Sequence, residues 1–175
     1  MKRETESEPP QAVSRFPFPV QKVSLPALER RGYFLSVSKK SNAIAALIEG
    51  FRGRELDAHY LGYFACFNRQ LFYEAHDVLE ELWLAQRRQP NDAFYKGLIQ
   101  LAGAFVHLQK GRLRPAAALF KLAEANLKRF PAVHESLALE PVLSLIRDAL
   151  HRLESSGFEA NPLSNGDPPE LKLSP

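Results

Sequence analysis

The chain has a single cysteine among its 175 residues, so an internal disulfide is excluded and packing must hold the fold. That residue, Cys66, lies in the apolar run GYFACF, where a reduced, buried thiol is expected; a reducing cytoplasm fits. Charge of one sign is also scarce. The 23 basic and 20 acidic residues leave a net +3, too little to imply nucleic-acid binding. Long apolar runs are missing. The longest, around Leu98 to Leu108, is broken by Gln100 and His107 and falls short of the ~18 residues of a membrane span. The first ten residues, MKRETESEPP, carry charge and proline where a secretory signal needs an apolar segment. Alternating β-branched runs bounded by turn residues do not occur in the body of the chain, which argues against a sheet.

What is present is helical. Hydrophobic residues make up 45% of the chain, enough for a core in its central portion. Six patterns with helical spacing fill residues 41–154. Ser41 or Asn42 caps the first, which bears Ile44, Leu47, Ile48 and Phe51 and stops near Gly53. The second runs from Leu56 to Phe67 and the third from Leu71 to Gln86. Asn91 or Asp92 caps the fourth, which reaches Gln109 and stops at Gly111. Pro115 opens the fifth and Pro141 the sixth. Short connections predict antiparallel neighbours. The expected fold is all-α: a compact bundle of about six helices, built from antiparallel hairpins, with extended tails. Residues 1–40 are rich in proline and charge, and residues 155–175 in proline. Leu163, Leu171 and Leu173 offer a means of docking the C-terminal tail, although composition favours disorder.

Polar residues on the third and fourth helices form the candidate site. On a helical wheel His76 borders the apolar arc beside Trp83, and Glu80 follows one turn later. Glu74, Asp77 and Glu81 fall on the far side with Gln70 and read as a solvated face. The fourth helix is apolar on nearly all sides, which predicts a central position. Its polar line is Lys96, Gln100 and His107, with Gly103 between them; Gly97 and Gly103 permit close approach by another helix. In an antiparallel hairpin His76, Glu80, Gln100 and His107 can meet. Two imidazoles and a carboxylate suit either a metal or proton transfer. Equally, the histidines can be core-edge groups satisfied by Glu80 and Gln100. The HExxH metal motif is absent, since HDVLEE has no second histidine at the required spacing; metal and cofactor are left open.

Charge is also segregated. Residues 70–86 carry Glu74, Asp77, Glu80 and Glu81 with no base, while residues 110–129 carry six bases against Glu124 alone. The segments can pair within one chain or across a homo-oligomer.

The blocks FNRQLFYEAHDVLEELW and FYKGLIQLAGAFVHLQKG resemble the domain of unknown function 309 family. The family pattern runs through an Asn-x-Gly turn, an aromatic pair, Glu-Ala-His-Glu, Leu-Glu-Glu and Trp. Phe-Tyr-Lys-Gly-Leu-Ile-Gln and a later His follow. Here Asn68, Phe72, Tyr73, Glu74, Ala75, His76, Glu80, Glu81 and Trp83 match the first part, and Phe94, Tyr95, Lys96, Gly97, Gln100 and His107 the second. The resemblance spans roughly residues 64–130. Gln70 stands where the family has its turn glycine, which predicts that Asn68 takes the left-handed conformation; Asp77 replaces a glutamate. The resemblance implies a compact all-α bundle and no established activity, substrate or cofactor.

Two function classes follow. The leading one is a non-enzymatic interaction or scaffold domain with a protein partner or a second copy of itself. Its rival is a hydrolase or other acid/base enzyme, metal-dependent or not, with His76, Glu80 and His107 as catalytic groups. Trp83, Tyr95, Lys96 and Gln100 are the candidate binding residues. Neither a membrane nor nucleic acid is an expected partner.

Overall fold

Apolar residues recurring every three to four positions fold into six helices among the described residues of the computed structural model. The structure describes residues 42–164 and 168–174, all within the compact unit Val37–Pro175. The proline-rich segment expected at 1–40 lies outside the described residues. Helix α1 occupies 42–48 and runs into a 3-10 turn, Glu49–Phe51. Then come α2 (Ala58–Phe67), α3 (Phe72–Ala85), α4 (Asp92–Gln109), α5 (Leu113–Leu127) and α6 (Leu139–Ser155). Between α5 and α6 a small hairpin pairs β1 (Val133–His134) with antiparallel β2 (Leu137–Ala138). The sequence pattern held no strand signal, so this hairpin corrects it. No helix among the described residues is long and apolar enough to cross a membrane.

Helix α4 is the centre of the bundle, with ten of its 18 residues buried. Each large apolar side chain it removes from water stabilises the fold by roughly 1.5–3 kcal/mol. Its α3 neighbour is antiparallel. Phe72 at the start of α3 stacks on Phe105 near the end of α4, with ring centroids 4.9 Å apart. At the other end the Trp83 indole N–H donates to Asp92 Oδ1 at 2.6 Å. Helix α5 lies close along α4 because glycine admits it. A Cβ on Gly97 would sit 2.9 Å from Leu127 Cγ, and one on Gly103 3.2 Å from Leu119 Cδ1.

The turn between α2 and α3 differs from expectation. Gln70, not Asn68, takes the left-handed conformation, with φ of 60° against −68° at Asn68. Asn68 is thereby free to use its side chain. Its amide N–H donates to the Leu171 carbonyl at 2.9 Å, and its amide oxygen accepts the Leu171 N–H at 2.8 Å. This clamp, the Leu137–Leu173 bridge and burial of Leu171 fasten residues 168–174 to the bundle. Docking therefore prevails there over the disorder that composition favoured.

Candidate functional site

Helix α3 begins without a side-chain cap and presents Ala75, Val78, Leu79 and Leu82 to the core. The helical repeat brings His76, Asp77 and Glu80 together along one flank. His76 Nδ1 lies 3.2 Å from Asp77 Oδ1. One ligand atom from each of the three residues lies within 4.8 Å of the others. Asp77 is buried, at 9% exposure. It is therefore no part of a solvated face. Glu74 and Glu81 also leave that face: both are half-buried, and Glu81 Oε2 approaches His59 Nε2 at 3.6 Å. The wheel measured each residue against α3's own apolar arc. It had no knowledge of α2, whose first turn closes over Glu81.

The four-residue polar line of the sequence reading divides. His76 reaches α4 at Gly103, where a Cβ would be 3.8 Å from its Cδ2. Gln100 turns toward α5, accepting the Asn126 side-chain N–H at 2.8 Å. His107 Nδ1 is buried and has no hydrogen-bond partner among the described residues. Burial lowers the His107 pKa, with Arg112 and then Lys110 adding to the effect. No hydrogen bond or ion pair among the described residues joins His107 to His76 or Glu80.

Trp83 and Tyr95 make structural contacts. Trp83 is held by Asp92 and covered by the Arg87 guanidinium, 5.0 Å from the ring centroid. Tyr95 is buried at the end of a polar cluster that the sequence reading missed. Asn91 is at its centre, donating to Glu135 Oε1 at 2.6 Å and to the Tyr95 hydroxyl at 3.5 Å. His134 Nε2 and Asn91 Oδ1 are 2.9 Å apart, and Tyr60 donates to the Glu135 carbonyl at 3.0 Å. Burial raises the Tyr95 pKa first of all, offset in part by Asn91. Asn91 was legible as a helix cap, but its side chain makes no cap bond. It reaches instead for a turn more than forty positions away, a separation that local pattern does not encode. Lys96 is exposed beside Asp92, Asn126 and Arg129.

The sequence model of the domain of unknown function DUF309 matches residues 60–119, from α2 into α5. Over these residues the chain is similar to that family. The matched span holds the His76–Asp77–Glu80 cluster and all of α3 and α4. An uncharacterized protein of Aquifex aeolicus (strain VF5) is 28% identical over 137 residues, 77% of this chain. The chain spans 37% of that relative's length. No solved structure matches significantly.

Proposed function

We propose that this helical bundle, similar to the DUF309 family over residues 60–119, is a non-enzymatic binding module whose α3 cluster holds a divalent cation. The observation that carries this reading is the convergence of His76, Asp77 and Glu80 ligand atoms within 4.8 Å. One imidazole and two carboxylates form a mixed N/O donor set that suits zinc, iron(II) or manganese. The burial of Asp77 favours binding, because a desolvated carboxylate interacts strongly with a cation. A cation held by three protein ligands keeps coordination positions for an oxygen from a partner protein or a second copy of the chain. A cytoplasmic setting is consistent with the unpaired, buried Cys66.

An acid/base enzyme is the second reading. It is favoured by the lowered His107 pKa, which keeps that imidazole neutral near pH 7 and able to accept a proton. The lack of any hydrogen bond between His107 and the α3 cluster among the described residues weighs against it.

Elemental analysis of protein purified without chelator tests the cation. We expect about one equivalent per chain, lost in His76→Ala and Asp77→Asn. Chelation should lower the unfolding midpoint of the parent protein and leave that of both variants unchanged. Protein that folds with no bound metal, and whose midpoint ignores zinc, manganese and chelator alike, would exclude the cation.

A further inference from the structure

A concavity lies between the α3–α4 turn, the first turns of α4 and the end of α5, and His76, Asp77 and Glu80 do not line it. Its volume is about 320 Å³, and Arg88, Gln89, Asp92, Lys96, Asn126 and Arg129 contribute to its wall. This volume is at the low end of the ~300–1,000 Å³ typical of small-molecule sites. Three cations from three separate elements therefore border one cavity. None of the three forms an ion pair with a carboxylate among the described residues; Lys96 meets the Asp92 carboxylate only through a longer-range charge interaction. Neighbouring bases are engaged: Lys121 bonds Glu154, Lys128 bonds Glu124, and Arg87 covers Trp83.

The one carboxylate in the wall, Asp92, is already occupied. Its Oδ1 accepts from Trp83 and its Oδ2 from the Arg88 backbone N–H at 2.9 Å. These donors hold its pKa below the usual carboxylate range, so it contributes a single negative charge against three positive ones. Arg88 is also held in the left-handed region, with φ of 66°. That conformation is unfavourable for a non-glycine residue and is sustained here by the Asp92 bond. Unpaired like charges around one cavity repel each other, and a multiply charged anion would relieve that repulsion.

The geometry points to a binding site for a small phosphorylated molecule, held by Arg88, Lys96 and Arg129. Arginine presents a planar fork that matches phosphate oxygens, and lysine adds a point charge. Asn126, oriented by its bond to Gln100, supplies a polar contact beside them. A phosphoryl group carries more charge and more acceptor oxygens than a carboxylate, which fits three cations better than one or two. The site's size and the chain's small net charge direct it to a small ligand rather than to a nucleic-acid backbone.

Isothermal titration of the full chain with inorganic pyrophosphate tests this, with citrate and sodium chloride at matched ionic strength as comparisons. We expect saturable one-to-one binding of pyrophosphate only. Arg88→Gly should weaken it by at least about tenfold. Glycine relaxes the left-handed backbone, so the unfolding midpoint should be retained and the loss assigned to the guanidinium. Arg129→Ala should repeat the loss from the turn that follows α5. Heats that do not saturate, equal binding of citrate, or pyrophosphate binding that survives both substitutions would each overturn the site.

Discussion

His107 is a single residue with a measurable effect on the pH dependence of stability. Its buried Nδ1 has no hydrogen-bond partner among the described residues, and its pKa is lowered chiefly by burial. The folded protein therefore binds fewer protons at this site than the unfolded chain, whose imidazole titrates near 6.5. Its contribution is complete above about pH 6.5 and is lost as pH falls through the lower folded-state value. His107→Leu removes the titration and breaks no hydrogen bond of Nδ1 among the described residues. Compared with the parent by urea unfolding, the variant should lose less stability between about pH 7.5 and about pH 5. At the upper pH the two should differ by less than ~1 kcal/mol. An identical decline in both proteins would place the titration elsewhere. Asp77 teaches a related lesson at this scale. Its position on a wheel is correct, yet its exposure is set by neighbours that a wheel does not contain.

Among the elements, the contact between α4 and α5 separates two glycines that look alike in sequence. Alanine at either position gains ~1 kcal/mol of intrinsic helix propensity. At Gly97 the new methyl would meet Leu127 Cγ and Cδ2 at 2.9 and 3.0 Å, and Leu127 is fully buried. Overpacking of a sealed site costs ~1–3 kcal/mol, so Gly97→Ala should be destabilising by about 1 kcal/mol. At Gly103 the nearest atom is the tip of the half-buried Leu119, which can give way, so Gly103→Ala should be neutral or stabilising. Chemical denaturation of both variants checks the pair; a stable Gly97→Ala would show that α5 can retreat. The existence and order of the helices were legible because their apolar periods are long. Helix α3 was expected at Leu71–Gln86 and is found at Phe72–Ala85. The β1–β2 hairpin was not legible. Its strands have two residues each, and its turn uses Glu135 and Ser136 at φ of 48° and 57°, with no glycine to announce them.

Across the whole molecule, Asn68 joins segments 103 positions apart through two bonds to Leu171. Asn68→Ala deletes both and leaves the N–H and carbonyl of the buried Leu171 without these partners. A loss of about 1–3 kcal/mol is expected. Limited proteolysis should then cut within residues 168–174 before any helix is attacked; cleavage rates equal to the parent's would mean the bridge to Leu137 suffices alone. The family motif made Asn68 visible as a turn residue, but nothing in its surroundings signalled a partner beyond α6. The clamp also has a mechanical meaning. Tension applied beyond Ser174 would first load the Asn68–Leu171 pair and the Ser174 N–H bond to the Ser136 carbonyl. Both grip the tail at points outside α6, so a pulling force would reach that helix only after they had yielded.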